Sequence, residues 1–381
     1  MQQIAEPWLI LSLGGSSVLL GLDGFAMNAP AWVLTLLGGM LADSRDKRKI
    51  IFTFQSIQML FTGILVLLIL TGTIRIWMII AVSVVVGITD ALSMPAFQSI
   101  VPSIVEQKQI GTAIALNSTQ FNLSRVLGPA IAGIVLARFG AAWCFGGNTL
   151  SYVPLILTAY WIQPIHKPSP RFEIKSGGPW FKEIANIGRQ RTLRGALLTV
   201  LVTGVFCAPL ITFCPVLVRD VHHSDALHFG QAIAAFGIGG MLGATGILAL
   251  EGRIDRVKLT SGFAIAYGIL ILGVALNPSL TALSWLLVLC GAAMTASNTS
   301  ANSILQFTAH DRVRGRTASL YMLAMRGGLS VGNLVTGITI SYLGIRVAFL
   351  INGILAVLIQ TWIVMNWAPR ETAATAPAAK R

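Results

Sequence analysis

The sequence predicts an integral membrane protein built entirely of α-helices. Its composition is 55% hydrophobic and only 11% charged, which leaves too little polar surface to solvate a soluble globule of 381 residues. Apolar stretches of roughly 18 to 25 residues recur along nearly the whole chain, and a helix of that length crosses the ~30 Å hydrocarbon layer. A helix also satisfies its own backbone groups in lipid, which irregular chain does not.

The apolar stretches define eleven predicted spans. They cover residues 16–41, 50–72, 76–100, 111–137, 142–162, 195–218, 226–250, 259–276, 280–307, 317–342 and 347–367. A shorter apolar segment, residues 1–13, precedes the first span and is too short to cross the bilayer. It would leave the charged amino group of Met1 at membrane depth, where an unpaired charge costs several kcal/mol. We therefore expect a twelfth span, whose first ~25 to 30 residues were lost to a misassigned start rather than to a genuine truncation.

The basic residues predict how the chain is oriented. The net charge is +13, and 21 of the 27 Lys and Arg lie in alternate loops and in the C-terminal tail, against four in the opposite loops and two within spans. The positive-inside rule therefore predicts a multi-pass protein of the inner (plasma) membrane with residues 43–49, the central linker and the C-terminus in the cytoplasm. Because topology explains the basic excess, we expect no nucleic-acid partner.

An internal repeat divides the chain. Residues 87–148 align without a gap on residues 291–352, at an offset of 204, with twelve identities in 62 positions, five of them glycine. Such a repeat is typical of transporters made of two parallel six-helix halves. The predicted divisions are an N-terminal half, a cytoplasmic linker, a C-terminal half and a cytoplasmic tail, at residues 1–162, 163–194, 195–367 and 368–381.

The central linker has its own pattern. Trp180, Phe181, Ile184 and Ile187 recur at helical spacing among basic residues, which predicts a short helix lying in the headgroup region. A hydrated linker without regular structure is the alternative.

No resident metal, cofactor or enzyme motif is expected. The four cysteines all fall in predicted spans, without disulfide or metal spacing, and are interpreted as packing thiols. Three histidines lie near two aspartates in one loop, which permits a metal site, although solvated side chains are the simpler interpretation: His222, His223, His228, Asp220 and Asp225. The chain carries no P-loop, which argues against an ATP-driven pump.

The loop after the first predicted span carries a recognisable motif. It resembles G-x-L-A-D-R-x-G-R-R/K, the signature of the major facilitator superfamily, at Gly39, Leu41, Ala42, Asp43, Lys47 and Arg48. It departs from that signature at Ser44 and Asp46. Three further strings are similar to the drug and siderophore exporters of the enterobactin-exporter type: GITDAL around Asp90, SRVLGPAIAG from Ser124, and SILQFTAHDRVRGRTASLYM from Ser303.

This resemblance implies the major facilitator fold of two six-helix halves, here with a truncated first helix. It implies a secondary active transporter, a monomer in the lipid bilayer, that exports a small amphipathic molecule such as a drug, siderophore or secondary metabolite. Transport would be coupled to protons and proceed by rocking of the halves about a midplane site. Direction is not encoded in the fold, so an uptake permease is one alternative; a nontransporting or inactive truncated protein is another.

The resemblance also implies a gate at the cytoplasmic face. Gly39 and Asp43, in the motif completed by Lys47 and Arg48, would lock against the helix that starts near Gly315. A carboxylate at a helix N-terminus is favoured by the helix dipole and by free N–H groups. Opening of this contact would accompany closure of the opposite gate.

Ionisable residues inside spans are expensive and are therefore candidates for function. Asp90 and Arg125 each lie about fourteen residues along their helices from opposite faces, or roughly 21 Å in depth at 1.5 Å per residue. We expect them to meet as a buried ion pair. The pair either joins two helices permanently, or is released when Asp90 takes up a proton or an anionic substrate enters.

Arg326 and Asp23 are the other candidates. Arg326 has no acidic partner in its own half, so it is predicted to bind substrate. Asp23 either carries a coupling proton or faces the extracellular vestibule. A Gly-Pro element, Gly128-Pro129 with Gly133, predicts a kink in its helix or a notch for close helix packing.

Overall fold

A computed structural model describes residues 2–162, 190–250, 254–308 and 314–367. These ranges contain α-helices, two short 3-10 helices and two π-helical stretches within the helix Arg191–Val221, and no strand, which confirms the predicted all-helical fold class. The helices are α1 (Gln2–Ser12), α2 (Ser17–Asn28), α3 (Ala31–Ser44), α4 (Lys47–Leu70), α5 (Ile76–Ile100), α6 (Ile110–Phe139), α7 (Ala141–Trp161), α8 (Arg191–Val221), α9 (Ala226–Leu250), α10 (Arg256–Leu276), α11 (Leu280–Thr308), α12 (Arg314–Leu343) and α13 (Ile345–Trp367). The predicted linker helix and the tail lie outside the described residues.

Eight segments in the described ranges are long and apolar enough to cross a membrane. They are α2 with the start of α3, and α4, α5, α8, α9, α10, α11 and α13. The helices α6, α7 and α12, of 30, 21 and 30 residues, coincide with three further predicted spans. The first predicted span is divided between α2 and α3, because the α-helix is interrupted at Ala29 and Pro30. The total of eleven crossings stays a prediction.

The helix boundaries repeat at the spacing of the sequence identities. The helices α11, α12 and α13 each begin 204 residues after α5, α6 and α7. Gly140 and Gly344, also 204 apart, have φ of 84° and 80° between the last two helices of each set. Only glycine adopts this conformation without strain, so the repeat retains the residue that the turn requires.

We call α1–α7 the N-terminal half and α8–α13 the C-terminal half. The bundle has two ends, named here after one loop residue each: the Gly140 end and the Asp46 end. At the Gly140 end the halves touch backbone to backbone. A Cβ on Gly21 of α2 would lie 2.5 Å from the carbonyl oxygen of Asn333 on α12, and a Cβ on Gly133 of α6 would lie 2.4 Å from Cα of Gly230 on α9. Glycine therefore permits both contacts.

The buried apolar side chains are arranged differently at the two ends of the bundle. At the Gly140 end one core is shared by both halves and includes Ile10, Leu20, Phe145, Phe213 and Phe229. At the Asp46 end the halves have separate cores, one around Ala42, Ile50 and Ile100, the other around Leu193, Val200 and Ile304. The halves are thus joined at the Gly140 end, and their cores are separate at the Asp46 end.

Candidate transport site

An ion pair connects the two halves near the middle of the bundle. Nη1 of Arg326, on α12, lies 2.6 Å from Oδ2 of Asp90, on α5. The side chains are partly exposed, Arg326 by 22% and Asp90 by 37%. Both side chains keep accessible surface while they are paired, so a further group can reach either charge.

Close helix contacts on both sides bring these two residues together. A Cβ on Gly38 of α3 would lie 2.6 Å from the carbonyl oxygen of Ala91, next to Asp90, so α3 and α5 are tightly packed. On the other side, a Cβ on Gly327 would lie 3.3 Å from the ring of Trp32 on α3. The helix α3 therefore holds α5 and α12 at the distance that the ion pair needs.

This pairing corrects the sequence-based interpretation of Arg326 as unpaired. Asp90 was expected to pair with Arg125, but its carboxylate bonds to Arg326; the side chain of Arg125 lies outside the described part of the chain. From the sequence, acidic partners of Arg326 were sought only within its own half. The actual partner lies 236 positions away, in the other half.

A second polar cluster lies entirely inside the N-terminal half. The Oγ of Ser83, on α5, lies 2.6 Å from Oε1 of Glu6 on α1 and 2.6 Å from Oδ1 of Asp23 on α2. It also lies 3.1 Å from the carbonyl oxygen of Ile79. Glu6 is 2% exposed and Asp23 5%. Asp23 is thus buried against other helices, and the expectation that it faces a vestibule is wrong.

Glu6 was missed by the sequence analysis, although the rule that selected Asp23 applies to it equally. Its segment was treated as an incomplete span and its residues were not weighed. The polar chain continues beyond Glu6, because Nε2 of Gln2 donates to Oε2 of Glu6 over 3.4 Å and Nδ2 of Asn148 donates to Oε1 of Gln2 over 3.0 Å.

The signature loop joins helices of one half. Nζ of Lys47 donates to the carbonyl oxygen of Ser99, at the end of α5, over 3.1 Å. Nη1 of Arg48 donates to the carbonyl oxygen of Ile162, after α7, over 3.0 Å. Asp46 caps α4 by accepting from the backbone N–H of Arg48, and the Arg48 side chain, also bonded to Asp46, holds the pKa of Asp46 below its ordinary value.

The predicted contact of Gly39 with the start of α12 stays a prediction. A Cβ on Gly39 would meet no described atom within 4 Å, and the cores at the Asp46 end are separate. The side chain of Asp43 and the surroundings of Gly315 lie outside the description. In the Gly-Pro element, Gly133 is a notch between the halves, whereas a Cβ on Gly128 would meet nothing; the side chain of Pro129 is not among those described.

In the loop that follows α8 and at the start of α9, His228 and Asp225 bond to each other. Nδ1 of His228 lies 2.6 Å from Oδ1 of Asp225, which also accepts from the backbone N–H of His228. These bonds lower the pKa of Asp225. Within the described ranges no three His, Cys, Asp or Glu side chains converge as metal ligands. The four cysteines are buried and free.

Residues 1–380 match the family described as transmembrane secretion effector, and the chain belongs to this family of the major facilitator superfamily. The protein is therefore a multi-pass membrane transporter and not an enzyme.

Relatives and solved structures agree with this assignment. The chain is 27% identical to the staphyloferrin A transporter of Staphylococcus aureus, over 92% of this chain and 88% of the relative. It is 22% identical to the multidrug efflux pump Tap of Mycolicibacterium fortuitum, over 93% and 90%. The fold is similar to that of the nucleoside transporter NupG, with a TM-score of 0.78, 11% identity, and coverage of 97% of this chain and 95% of that chain.

Proposed function

We propose that this protein exports small amphipathic molecules by alternating access, in exchange for protons. The observation that carries the proposal is the ion pair between Asp90 and Arg326, which joins the two halves and is partly exposed. An anionic group on a substrate can replace Asp90 at Arg326. The descriptions of two relatives, as a siderophore transporter and a multidrug efflux pump, support small-molecule transport, and the second supports export.

The asymmetry of the bundle supports one step of such a cycle. At the Gly140 end the halves touch through Gly21 and Gly133, and we call these contacts the seal. At the Asp46 end the halves have separate cores. The distribution of Lys and Arg predicts that the Asp46 end faces the cytoplasm. On that topology this conformation loads substrate from the cytoplasm, as an exporter requires.

The chemistry of Arg326 supports a preference among substrates. A guanidinium presents a planar fork that binds a carboxylate or phosphate through two hydrogen bonds. Apolar side chains dominate the spans, so the remainder of a substrate would be apolar. An amphipathic molecule with one anionic group fits both properties.

The test is transport into everted membrane vesicles with an acidic lumen, because export then appears as uptake. Staphyloferrin A, an anionic dye of similar size and the cationic dye ethidium form the panel. We expect accumulation of at least one anionic compound above that of vesicles without the protein, and its loss when a protonophore removes the gradient. Accumulation that is unchanged by the protonophore, or that occurs only into right-side-out vesicles, would contradict coupling or direction.

A further inference from the structure

We propose that Glu6 and Asp23 share one proton through Ser83 in this conformation. When this proton is lost, α2 moves and changes the contact between the halves. This rests on the proposed function, because it identifies the proton carrier of the same transport cycle. The three residues all belong to the N-terminal half and form a cluster separate from the ion pair of Arg326.

The single hydrogen of the Ser83 hydroxyl limits how many protons the two carboxyls can lack. A serine hydroxyl has one hydrogen and can donate it to one acceptor in good geometry. Ser83 lies 2.6 Å from both carboxyl groups. Where Ser83 donates to one, the other must donate to Ser83, and for that it must be protonated. With both ionised, one carboxylate oxygen would face the hydroxyl oxygen with no hydrogen between them. If Ser83 donates instead to the carbonyl oxygen of Ile79, 3.1 Å away, both carboxyls must donate to Ser83. The geometry therefore requires at least one proton on the pair.

The described contacts of the two carboxyl groups include no cation. No salt bridge among the described residues reaches either carboxyl, and Arg326 is bonded to Asp90. The uncharged polar contacts of the pair are Ser83 and Gln2. The helices packed around the pair carry other ionisable side chains, none of which has a described hydrogen bond or ion pair with Glu6 or Asp23. They include Asp90 of α5, Arg138 of α6, Cys144 and Tyr152 of α7, Cys207, Cys214, Arg219 and Asp220 of α8, and Arg326 of α12. Two buried like charges without a counter-ion repel strongly.

The helix α2 connects this pair to the seal at the Gly140 end. One face of α2 carries Gly21 and Gly24, against Asn333 of α12, and the carbonyl oxygen of Phe25 accepts from Oγ of Ser330, also on α12, over 3.2 Å. Asp23 points instead to Ser83 of α5. A shift of α2 that separates Asp23 from Glu6 therefore also changes its contact with the C-terminal half.

The resulting step is a single proton transfer. The shared proton leaves one carboxyl for water, no other covalent bond changes, and two carboxylates remain on one hydroxyl. Their repulsion displaces α2 and loosens the seal at the Gly140 end. Reprotonation from that end restores the hydrogen bonds and the seal, which is the order of events that proton-coupled export needs.

The experiment follows the seal directly and needs no substrate. Spin labels on Thr73→Cys, in the N-terminal half, and Tyr342→Cys, in the C-terminal half, report the separation of the halves at the Gly140 end in purified protein. Both positions are exposed, and the four native cysteines are buried. We expect a longer-distance population to grow as the pH rises from about 5.5 to about 9, because the pair then loses its shared proton. Glu6→Gln and Asp23→Asn should each abolish this growth.

Two further variants serve as controls. Asp220→Asn, at an exposed acid of the same end, should leave the pH response unchanged. Ser83→Ala keeps both carboxyls but removes their common partner, and should move the midpoint of the response. A wild-type distance distribution that does not change with pH, or a full response in well-folded Glu6→Gln and Asp23→Asn, would overturn the proposal. Export could still be observed in vesicles in either case, so the two proposals fail separately.

Discussion

Asp90 and the Glu6–Asp23 pair are carboxyl groups of the same half in opposite environments. Asp90 is partly exposed and bonded to an arginine of the other half. Glu6 and Asp23 are buried, bonded to a serine of their own half, and have no basic partner among the described residues. The charge of a carboxylate beside a guanidinium is balanced by its partner, whereas two buried carboxylates without a cation repel each other. This difference is the basis of the two proposals, which place anion exchange at the first site and proton exchange at the second.

Reversing the charge at Arg326 should have the largest effect. Arg326→Glu places a second carboxylate where the guanidinium now lies 2.6 Å from Asp90, so the two groups repel and leave no site for an anionic substrate. We expect transport to fall by more than about a hundredfold in the vesicle assay, with reduced folded yield. The double change Asp90→Arg with Arg326→Glu restores the ion pair and should recover yield. Recovery of full transport by the double variant would show that the pair serves only to join the helices.

Arg326→Lys tests the recognition of anions with the charge unchanged. Lysine contributes a point charge without the planar fork. We expect export of anionic compounds to weaken about tenfold, equivalent to ~1.4 kcal/mol, with neutral compounds unaffected and expression unchanged. The measurement is the concentration dependence of uptake into everted vesicles for an anionic and a neutral substrate. Equal loss for both would remove Arg326 from the substrate site.

Substitutions at Gly133 and Gly39 test the difference between the two ends of the bundle. The halves touch at Gly133, and Gly39 lies at the end where their cores are separate. Gly133→Ala would drive a Cβ to 2.4 Å from Cα of Gly230, whereas a Cβ at Gly39 meets no described atom within 4 Å. We expect Gly133→Ala to shift spin-label distances at the Gly140 end toward separation. Gly39→Ala should leave those distances and the folded yield unchanged. A reduced transport rate in Gly39→Ala alone would indicate that Gly39 packs only after the Asp46 end closes.

The smallest expected effect concerns Asp46. Asp46→Ala removes the cap of α4, which typically costs about 1 kcal/mol, while Asp46→Asn keeps the cap and loses the charge. Because the pKa of Asp46 is lowered in the folded protein, its contribution to stability is present above its ordinary pKa and is lost as the pH falls through the lowered value. Thermal unfolding in detergent at neutral pH should rank wild type, Asn and Ala in that order. Equal melting temperatures would contradict the role of the cap.

The fold could be predicted because its signals are local or repeat at fixed spacing. Span length, basic loops and the 204-residue repeat can each be read along the chain, and the signature at Gly39 lies in one loop. The site depends on packing between distant helices. Arg326 and Asp90 were both identified as candidates, but their pairing depends on how α3 holds α5 and α12. Glu6 was within reach of the sequence, since an acid in an apolar segment is already a signal.

The most direct test of separate proton and substrate sites uses Asp23→Asn with a compound that the wild type exports. Two properties are measured: accumulation in everted vesicles driven by an acidic lumen, and equilibrium binding of the labelled compound to the purified variant. If the proton is bound at Glu6 and Asp23 and the substrate at Arg326, the variant loses accumulation, because the Gly140 end no longer responds to pH, and keeps binding. Loss of both properties at normal folded yield, or retention of both, would contradict the separation of the two sites.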